Sequence, residues 1–393
     1  MMLEFDTKAP FEFSLPTKII FGAGVVGRLA GELAKMGGKR PLVVTDQGVA
    51  KAGILAKVTA LLGAAGVEYA IYDGVEANPK DLNVNAGAEI ARSFGADSLI
   101  GLGGGSPIDC AKSVGVLMAH NAGDIKLYEG KTAATKPLPP FITIPTTAGT
   151  GSEVTFSSVI TDTKNKYKMT VKSQYTAARA ALCDPELTLS VPPSVTAATG
   201  IDALTHAIEG YTATCAEPIG NATALYAVEM ICGSLVDAWR DGSDLKARSD
   251  MLMGSMLAGI AFSHSDVASV HCVAESLGGM YDLPHGMCNA IFLPWVMEYN
   301  MPYCVEKYAR IASAMGCGFV TAEAGARLAV ERVKQLTKDV NLPSFATLKV
   351  DVKSFDQLAE MSEKNCSNGS NPRPMTKEDY LVILERAYRG SSD

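Results

Sequence analysis

Histidine is scarce in this chain, basic clusters are missing, and cysteine follows no pattern. Each shortage narrows what the protein can do. The 393 residues carry 35 Lys and Arg against 42 Asp and Glu, a formal net charge of −7. No Lys/Arg-rich run interrupts that acidic balance, so the electrostatic footprint of a nucleic-acid partner is absent. No apolar stretch approaches the roughly 20 residues that a membrane-crossing helix needs. The opening residues Met-Met-Leu-Glu-Phe-Asp-Thr-Lys lack the basic start and apolar core of a secretion signal. The nine cysteines are odd in number, scattered, and include no Cys-x-x-Cys pair. That pattern predicts reduced thiols in a cytoplasmic protein rather than a disulfide framework.

What is present is a chain with 47% apolar and 20% charged residues, the balance of a globular protein. Its length exceeds one ordinary core, which predicts two domains. Pro41–Thr45, Glu68–Tyr72, Ser98–Leu102 and Phe141–Ile144 read as strands. Helical patterns cover 50–65 and 82–94 and run from Pro107 to about Ala119. Lys18–Phe21 and Ser157–Ile160 are further candidate strands. Strands alternating with helices predict a mostly parallel sheet covered by helices. After about residue 186 the texture turns to long amphipathic helices, with Pro192 and Pro193 marking the break and Ser194 a reasonable N-cap. The expected organisation is an α/β domain over 1–186 and an all-helical domain over 187–393.

Two glycine-rich turns compete as phosphate sites. Gly22, Gly24 and Gly27 match G-x-G-x-x-G after a candidate strand, with Asp46 about 20 residues on, where a dinucleotide fold places its ribose-binding acid. The same glycines equally suit a tight turn into a helix. The second turn, Gly101-Leu-Gly-Gly-Gly-Ser-Pro-Ile-Asp109, leaves an apolar strand and opens a helix. Its glycines let backbone N–H groups approach a phosphate, the helix N-terminus favours an anion, and Pro107 suits the first helical turn. A third stretch, Ile144-Pro-Thr-Thr-Ala-Gly-Thr-Gly-Ser-Glu153, is dense in hydroxyls and glycines and fits a loop lining a cofactor groove.

Of the five histidines, His120, His206, His264, His271 and His285, three gather in the second half near an aspartate. Asp202 and His206 are four apart, which on a helix places them on one face, one turn from each other. With His271 and His285 they offer one carboxylate oxygen and three imidazole nitrogens, a shell suited to Fe²⁺ or Zn²⁺. Read without the other motifs, they are equally ordinary helix residues.

Four long motifs in order settle that balance: Gly103-Gly-Gly-Ser-Pro-Ile-Asp-Cys-Ala-Lys112, Ile144–Val154, Thr199-Gly-Ile-Asp-Ala-Leu-Thr-His-Ala-Ile-Glu209 and Tyr281-Asp-Leu-Pro-His-Gly-Met-Cys-Asn-Ala290. Through them the chain resembles the iron-dependent (group III) alcohol dehydrogenases over nearly its whole length. The resemblance implies that the first domain is the dinucleotide-binding domain and the second the metal and substrate domain, with metal ligation by Asp202, His206, His271 and His285. It places the cofactor pyrophosphate on Gly103, Gly104, Gly105 and Ser106, and makes the turn at Gly22–Gly27 structural. Asp109, Thr146, Thr147, Thr150, Asn78 and Lys168 match further cofactor contacts. Asp46 matches the ribose-binding acid, which favours NAD(H) over NADP(H) because a carboxylate repels a 2′-phosphate.

The implied reaction interconverts a short primary alcohol or diol with its aldehyde, in a homodimer or larger assembly. Polyol oxidation of the glycerol dehydrogenase type, or hydroxyacid–oxoacid transhydrogenation, are the alternatives within the superfamily. One position departs from the family pattern. Where relatives usually carry a histidine four residues after the third ligand, this chain has Glu275, a candidate proton relay or substrate-selecting group. His264 lies nearby in sequence and reads as a helix-terminal residue.

Overall fold

The structure is a computed structural model that describes residues 9–130 and 132–390. The N-terminal octapeptide read above for a secretion signal lies outside the described residues. The described strands are β1 (Lys18–Phe21), β2 (Pro41–Val44), β3 (Ala70–Tyr72), β4 (Ser98–Gly103), β5 (Phe141–Pro145), β6 (Ser157–Asp162), β7 (Tyr167–Lys172) and β8 (Ala180–Cys183). Six of them form one parallel sheet in the order β1-β8-β5-β4-β2-β3. β6 and β7 pair separately as an antiparallel hairpin. Every residue of β2, β4, β5 and β8 is buried, as expected of parallel strands covered on both faces.

Alternation along these strands sorts the side chains into two layers. Leu42, Val44 and Leu99 pack with Val84, Ala88 and Val114 of helices α4 (Asp81–Phe94) and α5 (Gly105–His120). Val43, Ile100 and Leu102 face the other way, onto Leu29 and Leu33 of α1 (Leu29–Lys35) and Val58 and Leu62 of α3 (Ile54–Ala64). Between them, α2 (Gln47–Lys51) is a single short turn after β2. The order of the sheet carries the consequence for function. The chain leaves β2 for β3 on one side and returns to β4 on the other, so the carboxyl ends of β2 and β4 border a topological switch, the usual crevice for a dinucleotide.

The second half is helical: α6 (Pro193–Thr212), α7 (Pro218–Arg240), α8 (Leu245–Ser265), α9 (Ser269–Tyr281), α10 (His285–Asn300), α11 (Val305–Ala314), α12 (Ala322–Asp339), α13 (Phe355–Lys364) and α14 (Lys377–Arg389). The N-cap of α6 is Pro192, with Pro193 in its first turn, and not Ser194. Proline's fixed φ and missing N–H suit that position without a side-chain cap. By length and composition α7 could cross a bilayer, contrary to the reading of the sequence. Here one face of it joins the core, with Ala224, Ala227, Val228, Ile231 and Leu235 buried and packed in one cluster with residues of α6 and α8. Leu252, Met256 and Ile260 of α8 also pack on Ala181 and Cys183 of β8, which joins the helical half to the sheet.

Candidate metal and cofactor site

Three helices bring the expected ligands together. Asp202 and His206 stand one turn apart on α6, His271 lies in the first turn of α9, and His285 opens α10. One donor atom from each lies within 4.8 Å of every other. The set offers three imidazole nitrogens and one carboxylate oxygen, in surroundings where Asp202, His206 and His271 are buried. Burial pushes His206 down to about 4, and pushes His285 well below the usual imidazole range, with Lys168 and the neighbouring His271 and His206 adding to it. Neutral rings present lone pairs, so the donor chemistry fits a divalent first-row ion.

Neighbours orient these ligands. The Glu209 carboxylate accepts from His271 Nδ1 at 2.5 Å and from the backbone N–H groups of Ala268 and Val270 at 2.9 and 2.7 Å. With its proton fixed on Nδ1, His271 turns Nε2 toward the other ligands, an arrangement typical of metal-binding histidine. Burial opposes a charge on His271, but Glu209 outweighs it and raises the ring's pKa. His206 Nδ1 faces the carbonyl of Gly149 at 3.3 Å, and its ring stacks on Phe262 with centroids 4.4 Å apart. Asn289 donates from Nδ2 to Asp202 Oδ1 at 2.6 Å.

The cofactor side is built from two facing turns. Gly104 and Gly105 follow β4 and open α5, whose N-terminus has no side-chain cap. A Cβ on Gly105 would stand 2.7 Å from Thr150 Cγ2, and one on Gly104 would stand 3.0 Å from Thr147 Oγ1. Only glycine lets the strand-β4 turn approach the threonine loop this closely. Uncapped N–H groups at the start of α5 then remain for an anion. Asp46 lies at the end of β2, where its Oδ1 caps α2 through Val49 N at 2.9 Å.

A cavity of about 490 Å³ links the two halves of the site. Gly105, Ser106, Thr150, Asn78 and Lys168 line one part, and His206, His271, His285 and Glu275 line another. Asp46, Gly103, Gly104, Thr146 and Thr147 are not among its lining residues. Lys168 Nζ donates to Asn78 Oδ1 at 2.8 Å, and Asn78 Nδ2 in turn donates to Asp282 Oδ1 at 2.8 Å. Glu275 Oε2 accepts from Asn365 Nδ2 at 2.6 Å. Burial raises the Glu275 pKa against the opposing pull of Asn365 and Lys168.

Asp109, expected as a cofactor contact, also braces the interior. It borders the cavity, but Oδ1 accepts from Ser152 Oγ and Oδ2 accepts from Val159 N at 2.9 Å. Fully buried Lys112 completes this internal brace, donating to Thr155 Oγ1 at 2.7 Å and to the Ser157 carbonyl at 2.8 Å. Through Ser152, Asp109 ties the threonine loop to α5 while bordering the cavity.

The other glycine motif is also explained. The carboxylate of Asp184 accepts from Gly24 N and from Val26 N, each at 3.1 Å. The phosphate-like pocket of Gly22–Gly27 is filled by the protein's own anion. His264 lies apart from the ligand cluster, stacked on Phe13 at 4.1 Å with Nε2 bonded to the Ser14 carbonyl at 2.8 Å.

Glu209, Asn289 and Lys112 have structural roles that the sequence reading did not assign. Each stands inside a motif quoted above, which was the available signal.

Comparison with known proteins agrees with this architecture. The family model described as iron-containing alcohol dehydrogenase matches residues 16–185, and that of the Fe-containing alcohol dehydrogenase family, C-terminal, matches 196–388. The chain is 40% identical over 384 residues to a 1,3-propanediol dehydrogenase of Citrobacter freundii, covering 96% of this chain and 99% of that protein. A crystal structure of a 1,3-propanediol oxidoreductase superposes with a TM-score of 0.93 at 39% identity, covering 96% of this chain and 100% of the other. Sulfoacetaldehyde reductase from Bifidobacterium kashiwanohense, solved in complex with NAD⁺, superposes with a TM-score of 0.86 at 27% identity, covering 98% and 100%.

Proposed function

Because this chain belongs to the iron-containing alcohol dehydrogenase family, we propose that it interconverts a short primary alcohol or diol with its aldehyde, using NAD(H) and a divalent metal, Fe²⁺ in the first instance. The single observation that carries the reading is the continuous cavity, with an uncapped helix N-terminus at Gly105 and Ser106 and three imidazoles at His206, His271 and His285. When bound, the ion supplies Lewis acidity to the substrate oxygen and the nicotinamide supplies the hydride acceptor or donor.

The chain's own residues do the rest. Asp202, His206, His271 and His285 hold the ion, and Glu209 keeps His271 in the tautomer that can do so. Gly103, Gly104, Gly105 and Ser106 bind the pyrophosphate, and Thr146, Thr147 and Thr150 wall the groove. Asp46 accepts from a ribose hydroxyl and disfavours a 2′-phosphate. Lys168 and Asn78 close the groove as a hydrogen-bonded pair. Glu275 Oε1 holds a proton in transit between the substrate oxygen and solvent; Oε2 is fixed by Asn365. The nine cysteines, none of which forms a disulfide among the described residues, support a reducing, cytoplasmic setting, and the exposed Ile219 and Tyr226 of α7 support assembly into a homodimer or larger.

The test begins with metal analysis of anaerobically purified protein and continues with short aldehydes offered with NADH and with NADPH. Metal-dependent oxidation of NADH in preference to NADPH is expected, and His271→Ala and Asp202→Ala should lose both metal and turnover. Normal turnover in either variant would sink the ligand assignment. Activity only with an added oxo acid would favour the transhydrogenase reading.

A further inference from the structure

Asn289 sits one turn after His285 on α10 and is fully buried. Its Nδ2 stands 2.6 Å from Asp202 Oδ1, 3.0 Å from His271 Nε2 and 3.1 Å from His285 Nε2. An amide nitrogen carries two hydrogens, so the three acceptors outnumber its donors. The shortest contact goes to the only charged acceptor, and a bond to an ionised group is the strongest of the three. An ion held by this ligand set takes the Nε2 lone pairs, which leaves Asp202 Oδ1 as the acceptor for the amide. The other end of the side chain gives no competing anchor, because Asn289 Oδ1 is buried without a hydrogen-bond partner. Turning that oxygen inward would strip buried Asp202 Oδ1 of its donor.

We propose that Asn289 is a positioning residue that restricts Asp202 to one-oxygen coordination. A carboxylate without partners can chelate an ion through both oxygens. The buried N–H on Oδ1 occupies one of its lone pairs and fixes the carboxylate's rotation, which favours Oδ2 as the coordinating oxygen. The ion then meets four protein donors and keeps a position open for a substrate oxygen, which distinguishes a catalytic centre from a closed structural one. The inference rests on the metal-dependent reading above.

The experiment replaces Asn289 with Leu and with Ala, loads each protein anaerobically with Co²⁺, and records the visible ligand-field spectrum at full occupancy. Absorption per ion falls as coordination number rises. The wild type should show the strong bands of a low-coordinate ion. Asn289→Leu and Asn289→Ala should show weaker bands, and should hold Co²⁺ less tightly by ~10–100-fold, the usual effect of losing a group that orients a ligand. An unchanged spectrum at full loading overturns the proposal whatever the dissociation constant. So does an increase, which would mean that Asn289 had itself been a ligand.

If neither variant folds, X-ray absorption on the Co²⁺ wild type decides. A long metal–carbon distance to the carboxyl carbon supports one-oxygen binding, and the short distance of a chelating carboxylate overturns it. Failure of a different kind separates the two readings. A wild type that takes up no Co²⁺ refutes the metal centre as a whole, whereas a bound ion with an unaltered spectrum refutes only the role of Asn289.

Discussion

Glu209 accepts three hydrogen bonds at the start of α9, and its removal should be felt in two separable ways. In Glu209→Ala, the N–H groups of Ala268 and Val270 and the Nδ1–H of His271 all lose their acceptor in a buried site. Each orphaned donor costs ~1–3 kcal/mol. The combined penalty is comparable with the whole folding stability of ~5–15 kcal/mol, so this variant should unfold far below the wild-type denaturant midpoint. Glu209→Gln is gentler. Its amide oxygen keeps two bonds if it takes the place of Oε2, which serves Ala268 and His271, and then its NH₂ opposes only Val270 N. One donor is lost, for ~1–3 kcal/mol, and the His271 tautomer survives. The lost carboxylate charge still makes the ring a poorer donor, so metal affinity should fall by ~10–100-fold. Denaturant unfolding of the metal-stripped proteins measures the first effect, and competition with a chelator measures the second. Equal midpoints for the Ala and Gln variants, or wild-type metal affinity in Glu209→Gln, would refute the three-bond account.

Two further outcomes are expected. Burial pushes the Glu153 carboxyl up to about 7, above the ~4.3 of an unfolded chain. A group raised in the folded state contributes its full stability below the unfolded value and loses it as pH rises through the folded one. Glu153→Gln should therefore flatten the decline of the unfolding midpoint between about pH 4.5 and 7, and an unchanged slope would exclude Glu153 as its source. In Gly278→Ala, the new Cβ would stand 2.7 Å from Lys168 Cε and 2.9 Å from Nζ, forcing the lysine off Asn78. Loss of a charged hydrogen bond worth ~1.5–3 kcal/mol should weaken NADH binding by fluorescence titration about tenfold or more. Thermal stability should fall only slightly, because alanine suits a helix interior better than glycine by ~1 kcal/mol, which offsets part of the lost bond. A much lowered melting temperature with intact NADH affinity would contradict this.

The parallel sheet was legible because buried strands between amphipathic helices leave a strong periodic signal. β7 and β8 escaped, for different reasons. The Tyr167–Lys172 strand alternates within a polar hairpin, and Ala180–Cys183 is four residues with a single bulky side chain, Leu182, and so no pattern. The helices α9 and α10 were likewise read as motifs and not as elements. Asp202, His206, His271 and His285 could be picked out because each stands in a distinctive string, whereas their convergence depends on how three helices pack. Glu209 stands in such a string too, but two of its three partners are backbone N–H groups, and those carry no sequence signature. Asp109 was matched to a cofactor contact by the family resemblance; its carboxylate also holds Ser152 and Val159 at the edge of the cavity, and those partners carry no sequence signature.

The carboxylate of Asp184, seated in the turn at Gly24 and Val26, bears on how glycine fingerprints are interpreted. G-x-G-x-x-G describes the shape of a backbone, a concave row of N–H groups, and is silent about the tenant. Here the tenant is supplied from 160 positions downstream, and it staples an edge strand to the connection that leads into the helical half. On the proposed reading the chain uses one piece of anion chemistry twice, once to grip a ligand and once to fasten itself. Whether a second fingerprint is a binding site or a clasp can be decided by looking for an acid within reach of its amides.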